Sequence, residues 1–291
     1  MGSPDAFAAA MGFAIAVGLA AAGGGLALVL FLIAPACDGK RRCTPLFDRH
    51  FAHRGLHTPD RTIPENSLPA FAAACEAGYG IELDVQLSAD EQVVVFHDDD
   101  LERACGDPRN VADLSAAELH ALRLFGTVER IPLLAEVLSL VNGRVPLIVE
   151  LKDGPRNDAL CEETVRLLDT YGGPFCIESF HPGVVRWFRR NRPTVARGQL
   201  SAGPDTFDRQ RPPVRFLLSR LLTNVVTRPH FVAYRHKDGV GRLLLRLVRL
   251  LGGALVGWTV TDRDNRERCL AFFDVLIFEF WRPPVPEQRG E

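Results

Sequence analysis

Several features that would classify the chain by composition are missing. It has no CxxC pair. Its seven cysteines, at positions 37, 43, 75, 105, 161, 176 and 269, are scattered and odd in number. That pattern argues against a disulfide framework or a clustered zinc site and leaves most of them as core thiols. Cys37 and Cys43 alone lie close enough in sequence to pair on an oxidising side. No charge sign dominates either: 34 basic residues against 36 acidic ones give a formal net charge of −2, so no global basic field points to nucleic acid. A Gly-rich nucleotide turn is lacking, and so is an internal repeat. Finally, no charged residue occurs from Ala6 to Cys37.

That uncharged stretch contains AMGFAIAVGLAAAGGGLALVLFLIA, longer than the ~20 residues that span a bilayer. Gly23-Gly24-Gly25 would weaken a soluble helix but is tolerated in a membrane helix. The leading MGSPDAF has no basic n-region, which disfavours a cleaved signal, and Ala34-Pro35-Ala36-Cys37 matches a lipoprotein cleavage site poorly at Ala34. Lys40, Arg41, Arg42 and Arg49 follow the run, whereas no Lys or Arg precedes it. The positive-inside rule then predicts a single-pass membrane protein with its globular domain in the cytoplasm. The expected organisation is an anchor over 1–37, a basic juxtamembrane linker over 38–49, a globular domain over 50–282 and a tail over 283–291.

Within the globular domain, apolar runs at 50–54, 80–85, 145–151, 175–180, 195–200, 231–235, 254–260 and 275–280 alternate with helical patterns. Ser115-Ala116-Ala117-Glu118 reads as a capping box, and 157–171, 182–190, 241–251 and 265–273 read as helices. Alternation implies a parallel sheet, and eight units imply an α/β fold of the (β/α)8 TIM-barrel type over ~230 residues. An open doubly wound sheet is the alternative, and it would want the absent glycine turn. The stretch RPPVRFLLSRLLTNVVTR at 211–228 places Leu217, Leu218, Leu221, Leu222 and Val225 on one helical face. Such a helix either covers the sheet or, with its arginines, lies on anionic lipid.

The chemistry concentrates in residues 51–99. Ile81-Glu82-Leu83-Asp84-Val85 alternates, so Glu82 and Asp84 share a face. A turn near Asp90 leads into Val93-Val94-Val95-Phe96, and a hairpin there returns His97 to the side of Asp84. Upstream, His53-Arg54-Gly55 closes another apolar run. Carboxylates suit a hard divalent cation, imidazoles suit proton transfer near neutral pH, and guanidinium suits phosphate.

In order and spacing, His53-Arg54-Gly55, Pro64-Glu65-Asn66-Ser67 with Ala70-Phe71, Glu82-x-Asp84-Val85, and Val94-x-x-His97-Asp98 with Leu101 and Arg103 resemble the glycerophosphodiester phosphodiesterase family. The resemblance continues more weakly to about residue 281 and leaves out the first fifty residues. It implies a phospholipase C-like phosphodiesterase barrel whose Glu82, Asp84 and Glu150 bind a divalent metal ion, Ca2+ or Mg2+. It further implies His53 and His97 as the acid–base pair, with Arg54 and Lys152 on the phosphate. Glu65 would reach a second layer around the metal, and Asn66 sits beside it, where helix capping by Asn66 or Ser67 is an equally ordinary use. Trp258 would wall the glycerol or leaving group, with core packing as its other reading. His57 and His181 fall outside the motif and are read as structural or substrate-adjacent.

Departures from the family pattern are Leu133 after Ile131-Pro132, where a small hydroxyl residue is common, and Ile277-Phe278-Glu279-Phe280-Trp281 in place of a Thr-Asp-x-Pro run, so Glu279 inherits no role. The short 99–142 segment leaves little room for a cap, which implies an open entrance. The expected activity is metal-dependent hydrolysis of glycerophosphodiesters to glycerol 3-phosphate and an alcohol. The alternatives are a lysophospholipase D acting on lysophospholipids, related phospholipase C chemistry, and a catalytically silent membrane-anchored binding barrel. The silent barrel would have lost one of His53, Glu82, Asp84, His97 or Glu150, all of which are present.

Overall fold

The structure is a computed structural model that describes residues 22–208 and 210–285. Its strands are β1 (Phe51–His53), β2 (Gly80–Leu87), β3 (Val93–Val95), β4 (Asp100–Leu101), β5 (Asp107–Asn110), β6 (Leu147–Leu151), β7 (Phe175–Ser179), β8 (Ala196–Ser201), β9 (Phe231–Arg235), β10 (Ala254–Val260) and β11 (Val275–Phe278). Eight of them run parallel in the ring β1-β2-β6-β7-β8-β9-β10-β11, which closes back on β1. The eight apolar runs read from the sequence are these eight strands. Runs such as LIVEL and VLIF are buried on both sides, which is why they lack polar alternation. β3 pairs antiparallel with β2 through Val85↔Val95 and Leu87↔Val93, the hairpin expected around Asp90.

Register positions the chemistry. His53 lies opposite Glu82, Asp84 opposite Glu150, and Glu150 opposite Glu178. His53, Glu150 and Glu178 are at or next to the C-terminal ends of their strands, where the mouth of such a barrel lies, and the register brings Glu82 and Asp84 of the longer β2 to the same level. Below the mouth the interior is packed solid. Gly198 leaves room for the Phe231 ring, since a Cβ there would fall 2.2 Å from a ring carbon. Phe47 stands edge-on to Phe51 and Phe231, at 6.0 and 5.2 Å between centroids, and closes the barrel floor with Cys43 and Leu46. Outside, the helices Leu68–Glu76, Leu134–Val141, Asn157–Leu168 and Pro182–Asn191 cover the sheet with Phe71, Val137, Cys161 and Phe188. The excursion between β3 and β6 has a small core of its own built on Leu101, Val111, Leu119 and Leu124. Its helix Ala116–Ala121 begins at the capping box of Ser115 and Glu118.

Two sequence expectations need correction. The stretch 211–228 is not one helix. It breaks into Pro212–Ser219 and Asn224–Thr227, with Leu221 in the left-handed region at φ 58°. Leu218 and Leu221 turn inward, whereas Val214, Phe216 and Leu217 stay exposed. The second correction concerns the membrane. Among the described residues no helix is long and apolar enough to cross a bilayer, so the expected single-pass transmembrane anchor with a cytoplasmic domain is not supported. Residues 1–21 of that segment lie outside the described residues. Residues 22–33 are helical, and the end of the run is tied to the barrel by polar groups. Asn224 donates to the Ile33 carbonyl at 2.9 Å, and Arg228 donates to the carbonyls of Phe31 and Ala34 at 2.8 and 2.9 Å. Ile33 itself is fully buried. Next, Ala36 N–H donates to Pro229 O and Lys40 N–H to Gly252 O, which seats the helix Gly39–Cys43 on the floor of the barrel. All seven cysteines are free thiols, Cys37 and Cys43 included.

Phe231→Ala should lower the unfolding free energy by about 3–5 kcal/mol, because the closed floor cannot collapse into the space. Phe216→Ala, at a side chain 54% exposed, should cost far less. Urea denaturation of both variants checks the difference.

Candidate active site

The site begins with two tight turns that lock into each other. After β1 the chain turns sharply, with Arg54 at φ 55° and Gly55 at φ 83°. A Cβ on Gly55 would sit 2.9 Å from Ala70, so this position needs glycine twice over. Asn66 is also left-handed, at φ 53°, and its N–H donates to Arg54 O at 2.9 Å. Ser67 caps the helix Leu68–Glu76 by accepting from Ala70 N–H. Asn66 is thereby free for another task, and its amide donates to Asp84 Oδ2 at 2.9 Å.

Glu82, Asp84 and Glu150 present carboxylate oxygens that all lie within 4.8 Å of one another. All three are buried, and so is their neighbour Glu178. Two cations answer them. Lys152 donates to Glu150 Oε1 at 2.9 Å and to Asp84 Oδ1 at 3.3 Å. Arg54 donates its backbone N–H to Glu82 Oε2 at 3.0 Å and brings Nε to 3.4 Å from Asp84 Oδ2. Glu65 bonds Arg54 at 2.6 Å and Arg103 at 2.7 and 3.1 Å, so it steadies the guanidinium.

Charge does not balance in this cluster, and the acidities show it. Burial, with the charges of Asp84 and Glu150, pushes Glu82 well above the usual carboxylate range. Burial with Glu150 and Asp84 does the same to Glu178, whose Oε2 has no hydrogen-bond partner among the described residues. Burial raises Glu150 too, against the pull of Lys152. Asp84 goes the other way: despite burial, Lys152, His97 and Arg54 hold it low. A set of clustered oxygen donors with surplus negative charge fits a hard divalent cation.

The two imidazoles flank this cluster, and each has a carboxylate at Nδ1. His97 Nδ1 lies 2.6 Å from Asp98 Oδ1, and Asp98 in turn accepts from Arg103 at 2.5 Å. His53 Nδ1 lies 3.6 Å from Glu279 Oε1, which is also 2.9 Å from His57 Nε2. Burial lowers His53 to about 4, with Arg54 adding to the effect and Glu279 opposing it. A cavity of about 120 Å³ is lined by His53, Glu82, His97, Glu150, Glu178 and Trp258. Trp258 stands edge-on to Phe180, 5.5 Å between centroids. The structure thus brings His53, Arg54, Glu82, Asp84, His97, Glu150, Lys152 and Trp258 to one mouth, with Glu65 and Asn66 behind them. His181, 40% exposed, sits away near Asp153.

Sequence reasoning assigned no task to Glu178, Glu279, His57 or Asp98. The first two stand at or just past strand ends, the same kind of position that singled out Glu150. Asp98 adjoins His97 directly. The pairing of Glu279 with His53 and His57 follows only from β11 closing the barrel against β1.

Glu65 yields a pH prediction. Against the cost of burial, Arg103 and Arg54 hold its carboxyl down at about 2, from an ordinary 4.5. A lowered folded pKa contributes stability above the unfolded value, and that contribution fades as pH falls from 4.5 toward 2. Glu65→Gln should therefore cost about 1–3 kcal/mol at pH 6, and the gap to wild type should close toward pH 2 in denaturation curves.

Residues 53–274 match the profile of the glycerophosphoryl diester phosphodiesterase family. YhdW, a relative from Bacillus subtilis (strain 168), is 29% identical over 229 residues, which cover 76% of this chain and 89% of its own. A lysophospholipase D of Rattus norvegicus is 33% identical over 163 residues, 51% of this chain and 50% of its own, so the match spans half of that enzyme. The solved phosphodiesterase of Oleispira antarctica, in complex with its product sn-glycerol-3-phosphate, has the same fold: TM-score 0.63 at 21% identity, covering 79% of this chain and 92% of that one. With the profile running from the first turn of the site through the start of the last strand's approach, the chain belongs to the glycerophosphoryl diester phosphodiesterase family.

Proposed function

We propose that this enzyme hydrolyses glycerophosphodiesters to glycerol 3-phosphate and an alcohol at the mouth of the barrel. One observation carries the reading: three carboxylate oxygens within 4.8 Å lie beside two imidazoles, each with a carboxylate at Nδ1. Phosphodiester hydrolysis needs that division of labour. Family membership supports the reaction class. The catalytic unit is taken as residues 50–282.

In this reading Glu82, Asp84 and Glu150 would hold the divalent cation, calcium or magnesium. When bound, the ion would polarise a phosphoryl oxygen and offset its negative charge. Arg54 presents its guanidinium to the phosphate and is itself steadied by Glu65. Lys152 keeps the carboxylates apart in charge and adds a positive field at the transition state. His53 and His97 share the proton transfers. One accepts the proton of the attacking oxygen, and the other donates to the alcohol oxygen as its bond to phosphorus breaks. Asp98 at Nδ1 of His97 leaves its Nε2 for that work, and Glu279, 3.6 Å from Nδ1 of His53, faces the same side of the second ring. Trp258 supplies a flat wall for the organic part of the substrate.

The test is release of glycerol 3-phosphate from glycerophosphocholine, with calcium, magnesium or a chelator. Release should need an ion. His97→Ala should lower kcat by about 10²–10⁴. Turnover that survives chelation and the substitution, or silence from the folded protein with either ion, contradicts the reading. Glu279→Gln tests the positioning of His53: kcat should fall about tenfold or more while KM stays within about twofold, and Glu279→Asp should recover part of the loss. Equal losses in Gln and Asp variants would leave Glu279 without that task.

A further inference from the structure

We infer that His53, His57 and Glu279 form a second metal site, built for a borderline cation of the zinc class, and that its occupation withdraws His53 from proton transfer. The consequence for turnover rests on the phosphodiesterase reading; the site itself does not.

His53, His57 and Glu279 each offer one ligand atom, and these atoms lie within 4.8 Å of one another. Glu279 Oε1 is 2.9 Å from His57 Nε2 and 3.6 Å from His53 Nδ1. Ligand atoms ~2.1 Å from a tetrahedral ion stand about 3.4 Å apart, and the two distances bracket that value. The histidines also have a short spacing common in zinc sites, His53-x3-His57.

Hydrogen bonding leaves this cluster unexplained. His53 Nδ1 and His57 Nε2 are both buried, and neither has a hydrogen-bond partner among the described residues. Both nitrogens approach one carboxylate oxygen without the alignment of a hydrogen bond. The His57 side chain is only 6% exposed, so bulk water does not satisfy it. Buried polar atoms left in this state mark an ordered water or an ion. A cation at their common focus would satisfy all three groups at once.

The backbone sets these ligands in place. Phe280 is left-handed at φ 60°, and the turn around it is clamped to Val260 O by the Glu279 N–H at 3.0 Å and by the Trp281 indole at 2.7 Å. On either side of His57, Leu56 N–H donates to Ala70 O at 2.9 Å and Thr58 N–H to Ile63 O at 3.0 Å. The Phe280 ring stands edge-on to the His57 ring, 5.1 Å between centroids. Glu279 is 21% exposed, which gives an ion a way in.

Donor chemistry separates this site from its neighbour. Glu82, Asp84 and Glu150 offer only oxygen, which suits calcium or magnesium. Two imidazoles and one carboxylate suit zinc and leave a fourth position for water. An ion at Nδ1 of His53 leaves that ring a single proton, on Nε2. Such a ring has no free lone pair with which to act as a base, and losing its proton as an acid would leave an imidazolate. Neither proton role survives.

Zinc uptake by the full chain in excess calcium, read by calorimetry and by the visible bands of cobalt in place of zinc, tests the site. One ion should bind, with the intense absorption of four-coordinate cobalt. His57→Gln and Glu279→Gln should each weaken uptake at least about tenfold, whereas Glu82→Gln should keep it. Circular dichroism checks that the variants fold, and either folded ligand variant decides the point. Zinc should also stop glycerophosphocholine hydrolysis by wild type, at concentrations that leave His57→Gln at its own zinc-free rate. No uptake, or uptake lost in Glu82→Gln and kept in both ligand variants, overturns the inference. So does zinc bound here with turnover untouched, or a thiolate-to-cobalt charge-transfer band, which would place the ion at a free cysteine. Zinc taken up through His57 and Glu279 by a protein that hydrolyses nothing would instead uphold the site and sink the phosphodiesterase reading.

Discussion

Four carboxylates, from Glu82, Asp84, Glu150 and Glu178, stand buried on three adjacent strands at the barrel mouth, and among the described residues Lys152 and Arg54 are the cations that answer them directly. Burying that much like charge is costly. Most of the local architecture serves to hold it. The parallel register sets Asp84, Glu150 and Glu178 side by side, so their spacing is fixed by backbone hydrogen bonds and not by flexible side chains. Asn66 and the Arg54 backbone supply hydrogen bonds that keep two of the carboxylates oriented. The solid floor of Phe47, Phe51 and Phe231 gives the mouth a rigid base. A fold that tolerates such a cluster trades stability for a binding site.

A second layer governs direction. His97 is turned by Asp98, which is itself tied to Arg103, while Glu279 faces His53 Nδ1 at 3.6 Å and lies 2.9 Å from His57. Arg103 also reaches Glu65, which steadies Arg54. Arg54 and His97 are therefore linked through one chain of ion pairs, by way of Glu65, Arg103 and Asp98. That gives the short segment between residues 99 and 142 a purpose beyond joining two strands. It carries Arg103 to the site without roofing it.

Much of this was legible in sequence, for identifiable reasons. Doubly buried strands read as mostly apolar runs, VLIF being the purest, and their alternation with helical patterns let all eight be located. His53, Glu82, Asp84 and His97 sit within fifty residues, and the hairpin turn at Asp90 made their meeting derivable. Glu150 and Lys152 could be placed by strand-end position. What escaped depends on closure. Glu279 meets His53 because the last strand pairs with the first, a contact no local pattern encodes. Residues 211–228 carried a helical stripe, but the left-handed turn at Leu221 is set by burial against the barrel and overrides the periodicity. The apolar run before residue 37 satisfied a hydropathy criterion, yet its described end docks through Asn224 and Arg228, polar partners that hydropathy does not see.

The central claim is that the buried carboxylates are held together at a cost that a divalent ion repays. Thermal unfolding of wild type and Glu82→Gln, with chelator and across a calcium or magnesium titration, tests it most directly. In chelator the Gln variant should unfold at or above the wild-type temperature, because one source of repulsion is gone. With ion, wild type should gain about 2.7 kcal/mol at a hundredfold excess over Kd, and the variant little. A wild type indifferent to both ions, or a Glu82→Gln protein that is destabilised in chelator yet still stabilised by ion, would contradict the account.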